Sequence, residues 1–386
     1  MSQVYEKHWV GGWSTSPSDF KLYPLNLQNQ TLRIILRTNM YGEKVKIRLS
    51  NKFGNQDIHI GKVTVGLYYF DKDGLVENLQ TLTFEGNKSL VLKKGEMVYS
   101  DSIDLTLETF DHLAISIYIP EKTTITTANS TGAKCYISLN GDKCESKDLK
   151  EFFGEEYSKA EEHVTYNIPL ITGLDVYTSK ENQAIVTFGD SITAGMWPDF
   201  FAQRLNRLGI KHLSVLRQGI GGNRILHDSS QQFDGLYGIA GIKRFEDDAI
   251  KQSGVKYIII LEGINDIMHP GSAAPISETV STQDLINGLK YFVDTAHKNG
   301  IKIFGGTIMP FGCENPNDPN ELKRQKVNEW IRTSNYFDGY IDFDKALRDP
   351  ENPLRLLEKY DCGDKLHPSE EGYKAMAEAI DVNLFK

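Results

Sequence analysis

Cysteine is scarce in this 386-residue chain: Cys135, Cys144, Cys313 and Cys362 are the full set, and no two of them form a C-x-x-C pair. So few thiols cannot staple a fold of this length, and the spacing lacks the paired ligands of a zinc site. Free thiols are the expectation, with a Cys135 to Cys144 bridge only if the protein were exported. Long apolar runs are also missing, since no stretch approaches the ~18 consecutive apolar residues of a membrane span. The first residues, Met1 to His8, have neither the apolar stretch nor the small-residue cleavage site of a signal peptide, which predicts a cytoplasmic protein without stable membrane insertion. Sequons at Asn29, Asn87 and Asn129 carry little meaning without a secretory route. Positive charge is in deficit. Lys and Arg number 43 against 52 Asp and Glu, a formal charge of -9 that repels phosphate backbones and argues against nucleic acid as a partner.

What is present is ordinary globular material, 40% apolar and 25% charged, enough to bury a core and stay in solution. The length predicts two domains, here 1–178 and 179–386. In the first, apolar residues recur at every second position: Leu32, Ile34 and Leu36, then Val45, Ile47 and Leu49, then Leu113, Ile115 and Ile117. That period is the strand period with one buried face, and several short strands separated by turn residues such as Asp73-Gly74 predict an all-β sandwich, jelly-roll-like. From about residue 183 short apolar runs (184–188, 213–216, 257–261, 301–304 and 340–341) alternate with helical stretches near 198–208, 239–251, 283–299, 320–335 and 369–384. This is the βα rhythm of a parallel sheet covered on both faces.

Ligands of an open parallel sheet bind beyond the carboxyl ends of its strands, so the loops after these runs are where chemistry belongs. After the first comes Gly189-Asp190-Ser191-Ile192-Thr193. A Gly-Asp-Ser tripeptide alone also fits a turn or a helix cap. A serine becomes a nucleophile near neutral pH only with a base in hydrogen-bond reach, and Asp364-Lys365-Leu366-His367 can supply one. Three residues of separation let a single turn bring the carboxylate to Nδ1 and leave Nε2 for the serine proton. The oxyanion formed by attack on a carbonyl needs N–H donors. Gly219-Ile220-Gly221-Gly222-Asn223 and Gly263-Ile264-Asn265-Asp266 follow the second and third runs and can offer them.

Read together, these four ordered blocks resemble the SGNH (GDSL) hydrolase superfamily. The resemblance implies a flavodoxin-like three-layer α/β/α domain with a parallel sheet. It implies Ser191, Asp364 and His367 as the catalytic residues. The oxyanion donors would be the Ser191 amide, the Gly222 amide and the Asn265 side chain, with Gly219 and Gly221 as alternatives in the same loop. Trp9, the stretch from Trp13 to Pro17, Asn29 to Arg33, Arg48 to Asn51 and Trp197-Pro198 resemble the two-domain branch of the superfamily, in which a β-sandwich precedes the catalytic domain.

The implied activity is a serine esterase working through an acyl-enzyme, with no metal or organic cofactor. Its partner would be a small-molecule or carbohydrate ester, with short acyl groups favoured because no long apolar lid is visible. A lysophospholipase or an acyltransferase would use the same triad, and an inert glycan-binding protein would use none of it. Arg217, Asn223, Arg224, His227, Met268, His269 and Phe311 are candidate lining residues.

Overall fold

Alternation of apolar and polar residues lays down the strands Gln30–Arg37, Gly42–Ser50 and His112–Ile119, and every apolar residue named above from these three segments is buried. The computed structural model describes residues 6–130 and 132–386, and the chain divides into two compact units, Met1–Asn182 and Gln183–Lys386. In the first unit Gln30–Arg37 pairs antiparallel with His112–Ile119 on one side and Lys134–Ile137 on the other, inside a six-stranded sheet. Gly42–Ser50 pairs antiparallel with Ile171–Ser179, which pairs with Lys7–Ser14, inside a five-stranded sheet. Both sheets are antiparallel and each buries an apolar face, so the unit is all-β in its layers.

The expectation that these strands bury a single face fails for the six-stranded sheet. Ile35, Tyr68, Ala114 and Tyr136 on its other side are buried beneath Leu149, Phe152, Phe153 and Ala160, which come from the helix Leu149–Phe153 and the 3-10 stretch Gly154–His163. Arg33, which alternation places on a solvent face, is fully buried there. It donates from Nε to Ser116 Oγ at 2.9 Å and from Nη2 to the Ser146 carbonyl at 2.7 Å, under the Phe152 ring. Removal from water disfavours its charged form and lowers its pKa to about 10. Cys135 and Cys144 lie in this unit as free, buried thiols, both raised in pKa by burial.

The second unit is built on a parallel sheet. Strands β1 (Gln183–Gly189), β2 (Leu213–Gly219), β3 (Val255–Leu261), β4 (Lys302–Gly306) and β5 (Tyr340–Ile341) run in the order β2-β1-β3-β4-β5. Ala184, Ile185, Val186 and Phe188 of β1 are all fully buried, as a strand covered on both faces requires. The chain starts at β1, steps to one side for β2 and returns across β1 for β3, so the crevice between β1 and β3 is the switch point where such sheets hold ligands. Register sharpens this. Gly189 pairs with Gly219 on one side and with Leu261 on the other, so the loops after β1, β2 and β3 leave the sheet at one level.

Helices α1 (Ser191–Ala194), α2 (Trp197–Arg207), α3 (Gly241–Phe245), α4 (Ile264–Met268), α5 (Thr282–Lys298), α6 (Pro319–Thr333), α7 (Phe343–Leu347) and α8 (Glu370–Ala379) complete the unit. Trp197, Phe201 and Leu205 recur every fourth residue on the buried stripe of α2. Each such side chain contributes roughly 1.5–3 kcal/mol by leaving water. Arg204 of the same helix donates to the Ala377 and Ile380 carbonyls at 2.9 and 2.6 Å, capping the end of α8. Ser281 and Asp284 cap α5 reciprocally. Two expected helices prove shorter: 239–251 is α3 followed by a π-helical turn at Glu246–Ile250, and 369–384 is α8 followed, after an extended Ile380, by a 3-10 turn at Val382–Phe385. Among the described residues no helix is long and apolar enough to cross a membrane.

Candidate active site

Space dictates the residue that ends β1. A Cβ on Gly189 would stand 2.1 Å from the Leu261 carbonyl oxygen, so only glycine lets β1 and β3 approach at this point. Asp190 then caps α1, its carboxylate accepting from the Ile192 amide at 2.9 Å, and Ser191 becomes the first helical residue. First-turn N–H groups have no carbonyl partner within their own helix, which leaves the Ser191 amide without an intrahelical acceptor. Asp190 itself is buried, and burial raises its pKa.

The imidazole arrives from the other end of the unit. Ser369 caps α8 by accepting from the Gly372 amide, and the segment before it folds back so that the Cys362 amide donates to the His367 carbonyl at 3.0 Å. Gly363 and Lys365 take positive φ of 109° and 67° to close this turn. The outcome is a continuous relay. Ser191 Oγ lies 2.8 Å from His367 Nε2, and His367 Nδ1 lies 2.6 Å from Asp364 Oδ2. With the carboxylate accepting from Nδ1–H, Nε2 is left as the acceptor of the serine hydroxyl. Asp364 Oδ1 meanwhile accepts from the Leu366 and His367 amides at 2.9 and 2.7 Å. Burial alone would raise the Asp364 pKa, but the bonds from the His367 ring and from these two amides outweigh it and hold the group at about 2. Because that value is depressed, the stability linked to Asp364 is present above the ordinary Asp range near ~4 and is lost as pH falls through about 2. Asp361, Cys362 and Asp364 are clustered closely enough to share a cation, but Asp361 Oδ1 is already taken by the Gly363 and Lys365 amides as a turn acceptor.

The glycine loop and the asparagine loop are bound to each other. Asn265 is buried and donates from Nδ2 to the Asn223 carbonyl at 2.9 Å, with the second hydrogen of that amide still to be placed. Asp266 accepts from the Ile225 and Leu226 amides at 2.7 and 3.1 Å, and burial lifts it to about 6 in spite of them. Three glycines were open as donors. Gly219 closes β2 with its Cα against α1, where a Cβ would meet the Ala194 nitrogen at 2.2 Å. Nothing crowds Gly221, and Gly222 has φ of 72° with the Tyr237 ring 2.4 Å from where a Cβ would be. Phe233 stacks on Tyr237 at 4.1 Å, and His269 lies 5.5 Å away, its pKa lowered to about 4 by burial and by Arg224.

Of the candidate lining residues, Asn223 and Arg224 belong to the framework. Both are buried. Asn223 donates to the Tyr237 and Ile239 carbonyls, and Arg224 pairs with Glu278 at 2.7 Å. Arg217 is paired with Asp199 and donates to the Gly195 carbonyl. His227, Met268, His269 and Phe311 are partly exposed. Sequence reading missed Tyr237 and Arg244. Tyr237 sits in a long irregular segment with no period to read. Arg244 had a signal, because Gly241, Arg244, Phe245, Asp248 and Ala249 are the buried residues of α3 and the turn after it and fall on one helical face.

Residues 187–375, which hold all four blocks, match the GDSL-like lipase/acylhydrolase family. Among solved structures the chain is similar to a GDSL-like lipase from Bacteroides thetaiotaomicron VPI-5482, 20% identical with a TM-score of 0.40 over 54% of this chain and 90% of that one. It is similar to a variant of an acetyl xylan esterase from Geobacillus stearothermophilus, 19% identical with a TM-score of 0.40 over 52% and 94%. A second acetyl xylan esterase is 20% identical with a TM-score of 0.39 over 51% and 96%. No curated protein matches the chain. Its parallel-sheet unit, following an all-β region of antiparallel sheets, carries over residues 187–375 a GDSL-like lipase/acylhydrolase domain, which supports a hydrolase of ester bonds.

Proposed function

We propose that the chain is a serine esterase acting on short acyl esters, above all acetyl groups on carbohydrates or on small aryl alcohols. The observation that carries this is the unbroken relay from Ser191 Oγ through both ring nitrogens of His367 to Asp364. In the first half-reaction Ser191 Oγ bonds to the ester carbonyl carbon while its proton passes to His367 Nε2. The tetrahedral intermediate collapses, the carbon–oxygen bond to the alcohol breaks, and Nε2 returns the proton to the leaving oxygen. Water then repeats the sequence on the acyl-enzyme and frees the acid. The Ser191 amide, the Gly222 amide and the remaining Asn265 N–H are the donors assigned to the oxyanion. The Tyr237 ring, seated against Gly222 and stacked with Phe233, packs the glycine that carries the assigned Gly222 donor.

A p-nitrophenyl phosphonate should inactivate the enzyme by forming one adduct, found by peptide mass spectrometry on Ser191. Turnover of acetylated xylose and p-nitrophenyl acetate should exceed that of long-chain lysolipids. An adduct elsewhere would overturn the site, and preference for lysolipids would overturn the substrate. Replacing Asn265 by alanine should lower kcat about 10²- to 10³-fold with little change in KM, as removal of one oxyanion donor does.

A further inference from the structure

We propose that Arg244 is a positioning residue for the acyl-transfer site, its guanidinium holding the end of the nucleophile strand and the glycine loop in one frame. The inference rests on the esterase reading above and adds a residue that touches no reacting atom.

Arg244 is almost wholly buried at the start of the segment beneath the site. All three of its nitrogens are engaged. Nη2 donates to the Gly189 carbonyl at 2.8 Å, two residues before Ser191. Nη1 donates to the Gln218 carbonyl at 3.1 Å, at the end of β2. Nε donates to Asn223 Oδ1 at 2.7 Å, the residue after Gly222. The Asn223 carbonyl in turn accepts from Asn265 Nδ2, so all three donor-bearing loops connect to this one side chain within two bonds. Asp248 at 3.2 Å and Glu262 at 3.4 Å are further partners, and the guanidinium carbon stands 3.9 Å over the Phe188 ring.

Burying a cation among carboxylates is poor value as stabilisation alone, because apolar residues of the same volume often do as well. A planar fork that reaches two backbone carbonyls and a side-chain amide in different directions does something no apolar group can. The Gly189 carbonyl also accepts from the Ile220 amide at 3.1 Å, so strand end and glycine loop are clasped at the point Arg244 grips. A lysine could satisfy Asp248 or Glu262, but one ammonium on a flexible stem cannot span the Gly189, Gln218 and Asn223 acceptors together. Charge balance and positioning therefore separate on substitution.

Arg244→Lys and Arg244→Met are to be purified and their folded, active-site-competent fraction counted by phosphonate titration. The expected result is a fall in kcat per competent site of about 10- to 100-fold with KM within about threefold, and no rescue by lysine, because displacement of reacting groups by about an ångström costs on that scale. A folded Arg244→Lys enzyme with wild-type kcat, or losses that vanish once the competent fraction is counted, would overturn the proposal. If both variants fail to fold, Asn223→Ala removes the Arg244 link to the glycine loop, together with the Asn223 bonds to the Tyr237 and Ile239 carbonyls, while leaving the two strand carbonyls held. It should lower kcat about 10-fold, and full kcat in that variant would also overturn it. Failure of the esterase reading is distinguishable, since it would show as a wild-type phosphonate adduct away from Ser191.

Discussion

Replacing His367 by alanine should cut turnover of p-nitrophenyl acetate by on the order of 10⁴- to 10⁶-fold while the protein stays folded. The hydroxyl of Ser191 has Nε2 of this ring, 2.8 Å away, to accept its proton, and the same ring must return a proton to the departing alcohol. Without it, both half-reactions lose general acid–base help, and what remains is binding and the N–H donors. Structure should survive because the His367 side chain is 32% exposed and its turn is closed by the bond from the Cys362 amide to its carbonyl, which alanine retains. Circular dichroism and a melting curve close to wild type, beside steady-state kinetics, make the measurement. A folded variant within about tenfold of wild-type kcat would mean that another group takes the proton.

The residues at stake here were legible because their chemistry is local. Ser191 follows an apolar run and His367 stands three positions after Asp364, so a strand, a turn and a carboxylate–imidazole pair can be read without knowing the fold. The parallel sheet was legible for a similar reason, since strands covered on both faces leave continuous apolar runs such as 257–261. What could not be read is what depends on partners distant in sequence. Arg33 alternates like a solvent-facing residue and becomes buried among the Lys143, Ser146 and Asp148 carbonyls and the Phe152 ring, which fold over its sheet. Arg244 stands four residues before Asp248, a spacing that on a surface helix means a solvated ion pair; its grip on Gly189, Gln218 and Asn223 exists only once the ends of β1 and β2 and the loop after β2 meet. Asn223 and Arg224 looked like pocket residues for the opposite reason, as polar groups in a functional loop, and are consumed by holding that loop in shape.

Asp364→Asn should lower kcat about 10³- to 10⁴-fold, and by more than Asp364→Ala does. The ordering follows from how the carboxylate is divided. Oδ1 serves the Leu366 and His367 amides, both donors, so the oxygen of an asparagine must stay on that side. The NH₂ group is then turned toward His367 Nδ1, where the native Oδ2 accepts at 2.6 Å. Two donors cannot share that contact, so the ring is driven to the tautomer that carries its proton on Nε2, and Nε2 ceases to be an acceptor for the Ser191 hydroxyl. Alanine removes the carboxylate without imposing the wrong tautomer, and water can reach the half-exposed position to hydrogen-bond Nδ1–H in its place. Measured kcat values for the two variants, with nitrogen chemical shifts of the His367 ring reporting which nitrogen is protonated, test this directly. An asparagine variant more active than the alanine variant, or one whose ring keeps its proton on Nδ1, would show that Asp364 does not set the tautomer.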